Sequence, residues 1–194
     1  PEMYNLEDVV LCNNEISSII EFTTPNTDGN TTYTWTNDNT SIGLSSTGNG
    51  DIPSFTALNL SPITEVATIT VTPTYENNGV VCIGDPQTFS ISVLSEIEIT
   101  GTTVDALDCN DPNSGNINIT VTGGSGVYDF LWSNGAITED LNNIGPGDYS
   151  VTVTDSEGCT AISQTFKIFR QDDLTVELDT EIVPFCENNL VTQE

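Results

Sequence analysis

The residues of this chain with the most evident chemistry are its five cysteines, Cys12, Cys82, Cys109, Cys159 and Cys186. No two of them form a CxxC pair and the chain has no histidine, so a tetrahedral zinc site is not expected. Their wide spacing instead predicts two disulfides, Cys12–Cys82 and Cys109–Cys159, with Cys186 unpaired within this chain. Disulfides form in oxidising compartments, which indicates the cell surface, the periplasm or the medium.

The odd cysteine indicates a repeated module. The runs IEITGTTVDALDC (97–109) and LTVELDTEIVPFC (174–186) have equal length, and both end in cysteine. We therefore predict one module over 1–95, a second over 96–171, and the start of a further, truncated module over 172–194. The chain is then expected to be a segment of a longer array.

The charge of the chain excludes one class of function. Lys167 and Arg170 are the only basic residues against 29 acidic ones, and the formal net charge is −27. Nucleic-acid binding needs Lys and Arg to displace phosphate counterions, so it is not expected. No run approaches the roughly 20 apolar residues of a membrane helix, so direct membrane insertion is not predicted either. The acidity has two open interpretations, which are solubility through repulsion and the binding of divalent cations.

Five polar residues on predicted turns are the candidates for a cation site, and Ca²⁺ is the ion that best suits oxygen ligands of this kind. They are Asn110, Asp111, Asn113, Asn116 and Asp155. They do not follow the EF-hand spacing, and Asx turns explain the same residues without a metal. We therefore predict no cofactor and keep Ca²⁺ as the alternative.

Catalytic constellations are not found in the sequence. Without histidine the chain has no Ser-His-Asp or Cys-His arrangement. The Gly-rich run GGSG (123–126) lies between two predicted strands and does not open a helix, so it is not a phosphate-binding loop. We therefore predict that the chain is not an enzyme.

Apolar and polar residues alternate with a period of two over most of the chain, a pattern typical of β-strands. Clusters of Asn, Gly, Asp and Pro interrupt the alternation and favour turns. The predicted strands cover 16–23, 31–36, 54–59, 66–73, 87–94, 116–122, 127–133, 149–155 and 162–169. One short helical turn is predicted within 137–144. The polar stretch 36–54 is expected either to pack on itself or to carry a contact.

Short strands with closely spaced turns predict an all-β fold of tandem immunoglobulin-like β-sandwiches. Trp35 and Trp132, one in each half of the chain, are the predicted core residues. Tyr149 enters a late strand directly after Gly147 and Asp148, and two interpretations stay open for it, core packing and a tyrosine corner.

Residues 97–170 resemble the SprB repeat of the surface adhesins of gliding bacteria. The resemblance is carried by NSGNINITVTGGSGVYDFLWSNG (113–135) and ITEDLNNIGPGDYSVTVTDSEGC (137–159). Cys109 matches a cysteine that the family places shortly before the Gly-rich start.

Residues 11–94 resemble the PKD-like modules that are found beside such repeats. The matching runs are YTWTNDNTSIGLSSTGNGDIPSFTALN (33–59) and ATITVTPTYENNGVVCIGDPQTFSISV (67–93). Both resemblances imply immunoglobulin-like sandwiches in very large proteins of Bacteroidota. Such proteins are exported by the type 9 secretion system and displayed on the outer membrane, where they serve adhesion and gliding.

The expected function is that of a non-catalytic, disulfide-stapled stalk in a secreted cell-surface adhesin. The expected partners are neighbouring repeat modules of the same chain, with surface polysaccharide or other cell-surface proteins as further candidates. One alternative is a module that binds Ca²⁺ or glycan through the 36–54 or 110–116 loop. A second alternative is an accessory domain of a secreted enzyme.

Overall fold

The computed structural model describes residues 1–107 and 111–170, together with the backbone of 186–187 and 190–191. Contacts divide the chain into two compact units. The first consists of Pro1–Glu96 with Gly123–Ser125, and the second of Ile97–Thr122 with Gly126–Glu194. Most of the segment predicted to start a third module, 172–194, lies outside the described residues. Two short strands fall within it, β15 (Cys186–Glu187) and β16 (Leu190–Val191).

The first unit is built on one 6-stranded sheet with the strand order β1-β6-β4-β2-β3, and β5 pairs with β4 beside β6. Its strands are β1 (Val9–Leu11), β2 (Asn30–Asn37), β3 (Thr47–Asn49), β4 (Glu65–Asn77), β5 (Val80–Ile83) and β6 (Gln87–Val93). The pairing of β1 with β6 is parallel and all the others are antiparallel. The first and last strands of the unit therefore lie side by side and run in the same direction.

Alternation along β4 explains why this sheet has a buried face. Ala67, Ile69 and Val71 are fully buried, and the threonines between them point to the opposite face. β4 turns into β5 through Asn78 and Gly79, which both adopt positive φ. Positive φ at both central residues is the signature of a type I′ hairpin turn.

The opposite layer of the first unit is irregular. Residues 16–23 and 54–59, predicted as strands, form only two isolated bridges, Ile16↔Thr56 and Ile20↔Ile52. The prediction of regular strands was wrong here, because side-chain oxygens accept some of the hydrogen bonds that a paired backbone would accept. The Ser17 hydroxyl accepts from the Phe55 N–H at 3.0 Å, and the Asp51 carboxylate accepts from the Phe22 N–H at 2.8 Å.

The polar stretch 36–54 packs on the first unit. It contains a 3₁₀ turn over Thr40–Ile42 and the strand β3. Ile42 and Ile52 have no exposed surface, and Leu44 is also buried. The Asn37 side chain donates to the Leu44 carbonyl at 3.1 Å. Of the two expectations for this stretch, packing on itself is the one that the structure shows.

Up to residue 170, the second unit contains three small sheets with the strand orders β10-β8-β7, β11-β14 and β13-β12-β9, and beyond it β15 pairs with β16. Its strands are β7 (Glu98–Val104), β8 (Gly115–Thr122), β9 (Tyr128–Trp132), β10 (Leu141–Ile144), β11 (Gly147–Tyr149), β12 (Val151–Asp155), β13 (Thr160–Ile162) and β14 (Phe166–Ile168). All of these pairings are antiparallel. A parallel bridge connects Ala106, which follows β7, with Arg170, which follows β14.

The helical turn predicted within 137–144 does not form, because this segment is tied to β8 and ends in β10. The Asp140 carboxylate accepts from the Ile119 N–H at 2.9 Å and from the Asn118 side chain at 3.0 Å. These bonds draw the segment alongside β8, where Leu141 pairs with Ile117. Edge pairing therefore outweighs the weak local preference for a helix.

The chain is all-β, as predicted, and consists of tandem β-sandwich modules. Most of the predicted strands fall on observed ones. Of the strands up to β14, β1, β3, β5, β7 and β10 lie outside the predicted ones. In the part of the chain that the structure describes, no helix is long and apolar enough to cross a membrane.

Candidate functional site

The structure separates two of the cysteines that were predicted to pair. Cys12 is disulfide-bonded, whereas Cys82 is a free, exposed thiol, so the predicted Cys12–Cys82 bridge is wrong. Cys12 follows the end of β1, where Leu11 lies beside Val93 and, across β6, Glu65 of β4. Cys82 instead pairs with Tyr75, about ten residues further along β4.

The length of this strand segment rules out a disulfide between Cys12 and Cys82. At ~3.3 Å per residue, ten residues of strand span roughly 33 Å. A disulfide requires Cα atoms within about 7 Å of each other. The two cysteines therefore lie at opposite ends of one sheet, which sequence spacing alone does not reveal.

Cys159 is also disulfide-bonded. Its predicted partner Cys109 and the side chain of Cys186 lie outside the described residues. The pairing of Cys109 with Cys159, and the unpaired state of Cys186, therefore stay predictions.

Asp155, a candidate cation ligand, organises the loop that leads to Cys159. Its buried side chain accepts from the Glu157 N–H at 3.0 Å and from the Cys159 N–H at 2.8 Å through the same oxygen. The Asp155 N–H in turn donates to the Cys159 carbonyl at 2.9 Å. Gly158 completes the loop with positive φ. The D-x-x-G-C run is thus a hydrogen-bonded turn that fixes the position of a disulfide cysteine.

The same carboxylate affects a neighbouring aromatic residue. Burial raises the pKa of Tyr128 above the ordinary tyrosine value, and the negative charge of Asp155 raises it further. Tyr128 pairs with Asp155 across β9 and β12 and contacts the Phe130 ring edge-on at 6.5 Å.

The other candidate cation ligands also serve turns. The Asp111 carboxylate accepts from the Asn113 N–H at 2.9 Å, which is an Asx turn. The Asn116 side chain donates to Ser114 and accepts from the Asn143 N–H at 3.3 Å. Asn110 lies outside the described residues.

A metal centre does not emerge from the acidic residues that can be placed. Over 1–107 and 111–170, no group of three or more His, Cys, Asp or Glu side chains is arranged to hold a metal ion. Occupancy by Ca²⁺ remains an untested proposal for the 110–116 loop.

The two predicted core tryptophans are buried, at 4% exposure for Trp35 and 2% for Trp132. Trp132 donates from its indole N–H to the Thr138 carbonyl at 2.8 Å and packs against the Phe166 ring at 6.1 Å. The indole N–H of Trp35 is buried without a hydrogen-bond partner. Gly48 lies directly opposite Trp35 on β3, where a Cβ atom would overlap the indole ring.

Tyr149 agrees with both interpretations that the sequence left open, core packing and a tyrosine corner. Its ring is half-buried at the end of β11. Its hydroxyl donates to the Gly145 carbonyl four residues upstream at 2.9 Å. A tyrosine hydroxyl bonded to the backbone a few residues upstream has the form of a tyrosine corner.

A feature that the sequence did not indicate is an open groove at one edge of the first unit. It lies between the N-terminal segment and residues 15–21 and has a volume of about 410 Å³. Its lining mixes apolar residues with three glutamates. No linear motif marks it, because it results from a change of layer by the N-terminal strand.

Comparison with known proteins places one family on the second unit. The SprB repeat matches residues 100–137, a span that includes most of β7 and the whole of β8 and β9. No curated protein matches the chain.

Two solved structures are similar to the chain at low identity. One is the C-terminal 282-residue fragment of intimin, solved in complex with the intimin-binding domain of the translocated intimin receptor. It is 16% identical with a TM-score of 0.45, over 71% of this chain and 51% of that one. The other comprises extracellular domains 3–5 of Drosophila OTK, 13% identical with a TM-score of 0.29, over 85% of this chain and 62% of that one. The chain thus spans about half of the intimin fragment and less than two thirds of the OTK domains.

Proposed function

We propose that this chain is a non-catalytic repeat segment of a large secreted cell-surface adhesin, in which it forms part of the stalk. The observation that carries the proposal is the SprB repeat at residues 100–137. Adhesion and gliding motility, export by the type 9 secretion system and display on the outer membrane belong to this proposal. They rest on the repeat and on the sequence resemblance.

The parallel pairing of the first and last strands of the first unit supports a role in bearing tension. In the first unit β1 runs parallel to β6, with Val9 opposite Ile91 and Leu11 opposite Val93. Tension applied through the two ends of the unit pulls these strands in opposite directions along their length. All their hydrogen bonds are then loaded together in shear, which resists more force than opening them one at a time.

The second unit has one parallel bridge, between the residues that follow β7 and β14. Ala106 bridges in parallel to Arg170, and its N–H donates to the Phe169 carbonyl at 3.0 Å. The Phe169 N–H donates in turn to the Asp105 carboxylate at 3.0 Å. The first unit therefore has its terminal strands in a geometry suited to shear, and the second unit has a single parallel bridge next to β14.

The acidic surface and the disulfides suit an extracellular setting. With a net charge of −27, neighbouring copies of the chain repel one another, which favours extended and soluble arrays. Cys12 and Cys159 are both disulfide-bonded, and disulfides persist in oxidising extracellular compartments. In this proposal the immediate partners are neighbouring modules of the same protein. Surface polysaccharide or other cell-surface proteins are partners of the whole adhesin.

An in-frame deletion in the parent gene tests the proposal. We expect the adhesin to remain exported, and protease treatment of intact cells to remove the region from wild-type cells. We expect attachment and gliding to fall in the deletion strain. Resistance of the region to external protease in intact cells, but not in lysed cells, would show that it is not on the surface and would overturn the proposal.

A further inference from the structure

The groove of the first unit offers an open surface that is lined in part by apolar side chains. Its volume of about 410 Å³ lies within the usual range of ligand pockets. The apolar residues that line it are buried or half-buried, and they are Leu6, Val9, Leu11, Ile20 and Phe89. Ile19 is 58% exposed at the same groove. A ligand that enters the groove would therefore cover apolar surface that the chain itself leaves open.

The groove exists because the N-terminal segment changes layers. The Tyr4 N–H donates to the Thr23 carbonyl at 3.1 Å, so the segment begins beside the end of 15–23. By Val9 it has moved to the other layer, where it pairs with β6. Residues 5–8 make the crossing, and among the described residues no strand pairs with the outer edge of 15–21.

In the second unit, the strand that corresponds to 15–21 has a paired strand on both sides. There β7 pairs with β8 along its whole length, from Glu98↔Thr122 to Val104↔Asn116, before Ala106 crosses to the other end of the unit. β8 also pairs with β10 on its opposite side. In the first unit, 15–21 has the counterpart of β10 in residues 51–57 but lacks the counterpart of β7. The vacant position is therefore that of a β-strand.

Backbone groups at the vacant edge are available for pairing. Ser17 and Ile20 direct their N–H groups to the carbonyls of Phe55 and Ile52. The N–H groups of Ser18, Ile19 and Glu21 make no hydrogen bond within the described part of the chain. An extended peptide can bind an exposed sheet edge by supplying partners to such groups.

Charge indicates the composition of the missing strand. Glu7, Glu15 and Glu21 line the groove. The Glu15 carboxylate accepts from the Cys12 N–H at 2.8 Å. Glu7 and Glu21 take part in no hydrogen bond or ion pair among the described residues. Two uncompensated carboxylates beside an apolar groove favour a strand that combines apolar and basic side chains.

We propose that this groove binds an extended segment of a partner protein, which adds as a β-strand to the edge of 15–21. Its apolar side chains occupy the groove, and its Lys or Arg side chains lie beside Glu7 and Glu21. The occupant comes from a partner because Lys167 and Arg170 are the only basic residues of this chain, and they lie in or next to β14, which pairs with β11. This inference does not depend on the function proposed above.

The test uses a short, end-blocked, fluorescent peptide of alternating lysine and valine, with the whole chain as receptor and anisotropy as the readout. We expect binding that weakens about fivefold in the double variant Glu7→Gln/Glu21→Gln, since each exposed ion pair contributes modestly. The matched control is Glu76→Gln/Glu139→Gln, which removes the same charge from exposed positions away from the groove. The control variant should bind within about twofold of the unmodified chain.

Two further measurements separate strand addition from simple charge attraction. A peptide with proline at alternate positions keeps the charge but cannot form the ladder, and we expect it not to bind. Amide hydrogen exchange at Ser18, Ile19 and Glu21 should slow when the original peptide is bound. The proposal is overturned by equal weakening in the control variant, by equal binding of the proline peptide, by unchanged exchange at these amides, or by no binding of the original peptide.

Discussion

Replacing Asp155 with alanine should destabilise the second unit more than any other exchange of a single acidic side chain there. The substitution removes an acceptor of two backbone N–H groups, at 3.0 Å from Glu157 and 2.8 Å from Cys159. Hydrogen bonds to a charged group contribute roughly 1.5–3 kcal/mol each, and relief of carboxylate burial offsets part of that sum. We therefore expect a loss of about 2–4 kcal/mol in the free energy of unfolding.

The assay is urea unfolding followed by the fluorescence of Trp132, in a Trp35→Phe background so that the signal reports the second unit alone. Asp155→Asn keeps an acceptor oxygen without the charge and should lose only about 1 kcal/mol. Asp129→Ala is the matched control, because Asp129 is exposed on the neighbouring strand β9 and should change the stability by less than about 0.5 kcal/mol.

A loss below about 0.5 kcal/mol for Asp155→Ala would refute the structural role of this carboxylate. Repeating the unfolding with millimolar Ca²⁺ distinguishes the alternative. If Asp155 were a calcium ligand, Ca²⁺ would stabilise the unmodified chain and not the alanine variant. If Asp155 only organises the turn, the difference in the free energy of unfolding between the unmodified chain and Asp155→Ala should be the same with and without Ca²⁺.

Three further predictions concern single side chains. Cys82 should be alkylated by iodoacetamide in the folded, non-reduced chain, and mass mapping that finds it in a disulfide instead would contradict the structure. Tyr149→Phe removes the bond to the Gly145 carbonyl and should lower the free energy of unfolding by about 1 kcal/mol; an unchanged urea midpoint would show that this bond contributes nothing. The pKa of Asp8 is lowered by its bond from the Ser90 N–H, so the stabilisation it provides is present above the ordinary aspartate pKa of ~3.9 and is lost as pH falls through the lower folded value. The stability difference between the unmodified chain and Asp8→Asn should therefore shrink in acid, and a difference that grows below pH ~3.9 would contradict this assignment.

The regular strands were predictable because burial of one face leaves a direct trace in the sequence. β4 and β12 alternate apolar and polar residues along most of their length, and the alternating apolar residues Ala67, Ile69 and Val71 of β4 and Val151 and Val153 of β12 are buried. Strands without such a face were missed. β5 has four exposed residues, and β7 is exposed at nearly every position, so neither carries a burial signal.

The strand prediction for the irregular layer of the first unit was wrong for a different reason. Residues 16–23 look like a strand by composition, but side chains such as Ser17 and Asp51 take over backbone hydrogen bonds there. Local propensity does not register this competition. The groove beside 15–21 could not be predicted from local sequence, because it depends on the path of the N-terminal segment, which leaves this layer to pair with β6.

Cysteine spacing predicted disulfide chemistry but not its connectivity. Two of the described cysteines, Cys12 and Cys159, are disulfide-bonded as the composition indicated. The partner assigned to Cys12 was wrong, because proximity in the fold depends on the length of β4 rather than on the order of the cysteines. With several cysteines, several connectivities are always open until strand pairing is known.

Exchange of this segment for an unrelated one tests the proposed stalk function most directly. In the parent gene, the coding region for this chain is replaced by one for two β-sandwich domains of similar length that bind nothing on the cell. If the segment serves as a stalk, attachment and gliding lost in the deletion strain should return with the replacement, at equal surface levels of the adhesin. Continued loss of attachment and gliding with the replacement would contradict the account, since it would show that this segment contributes a specific contact and not structural length.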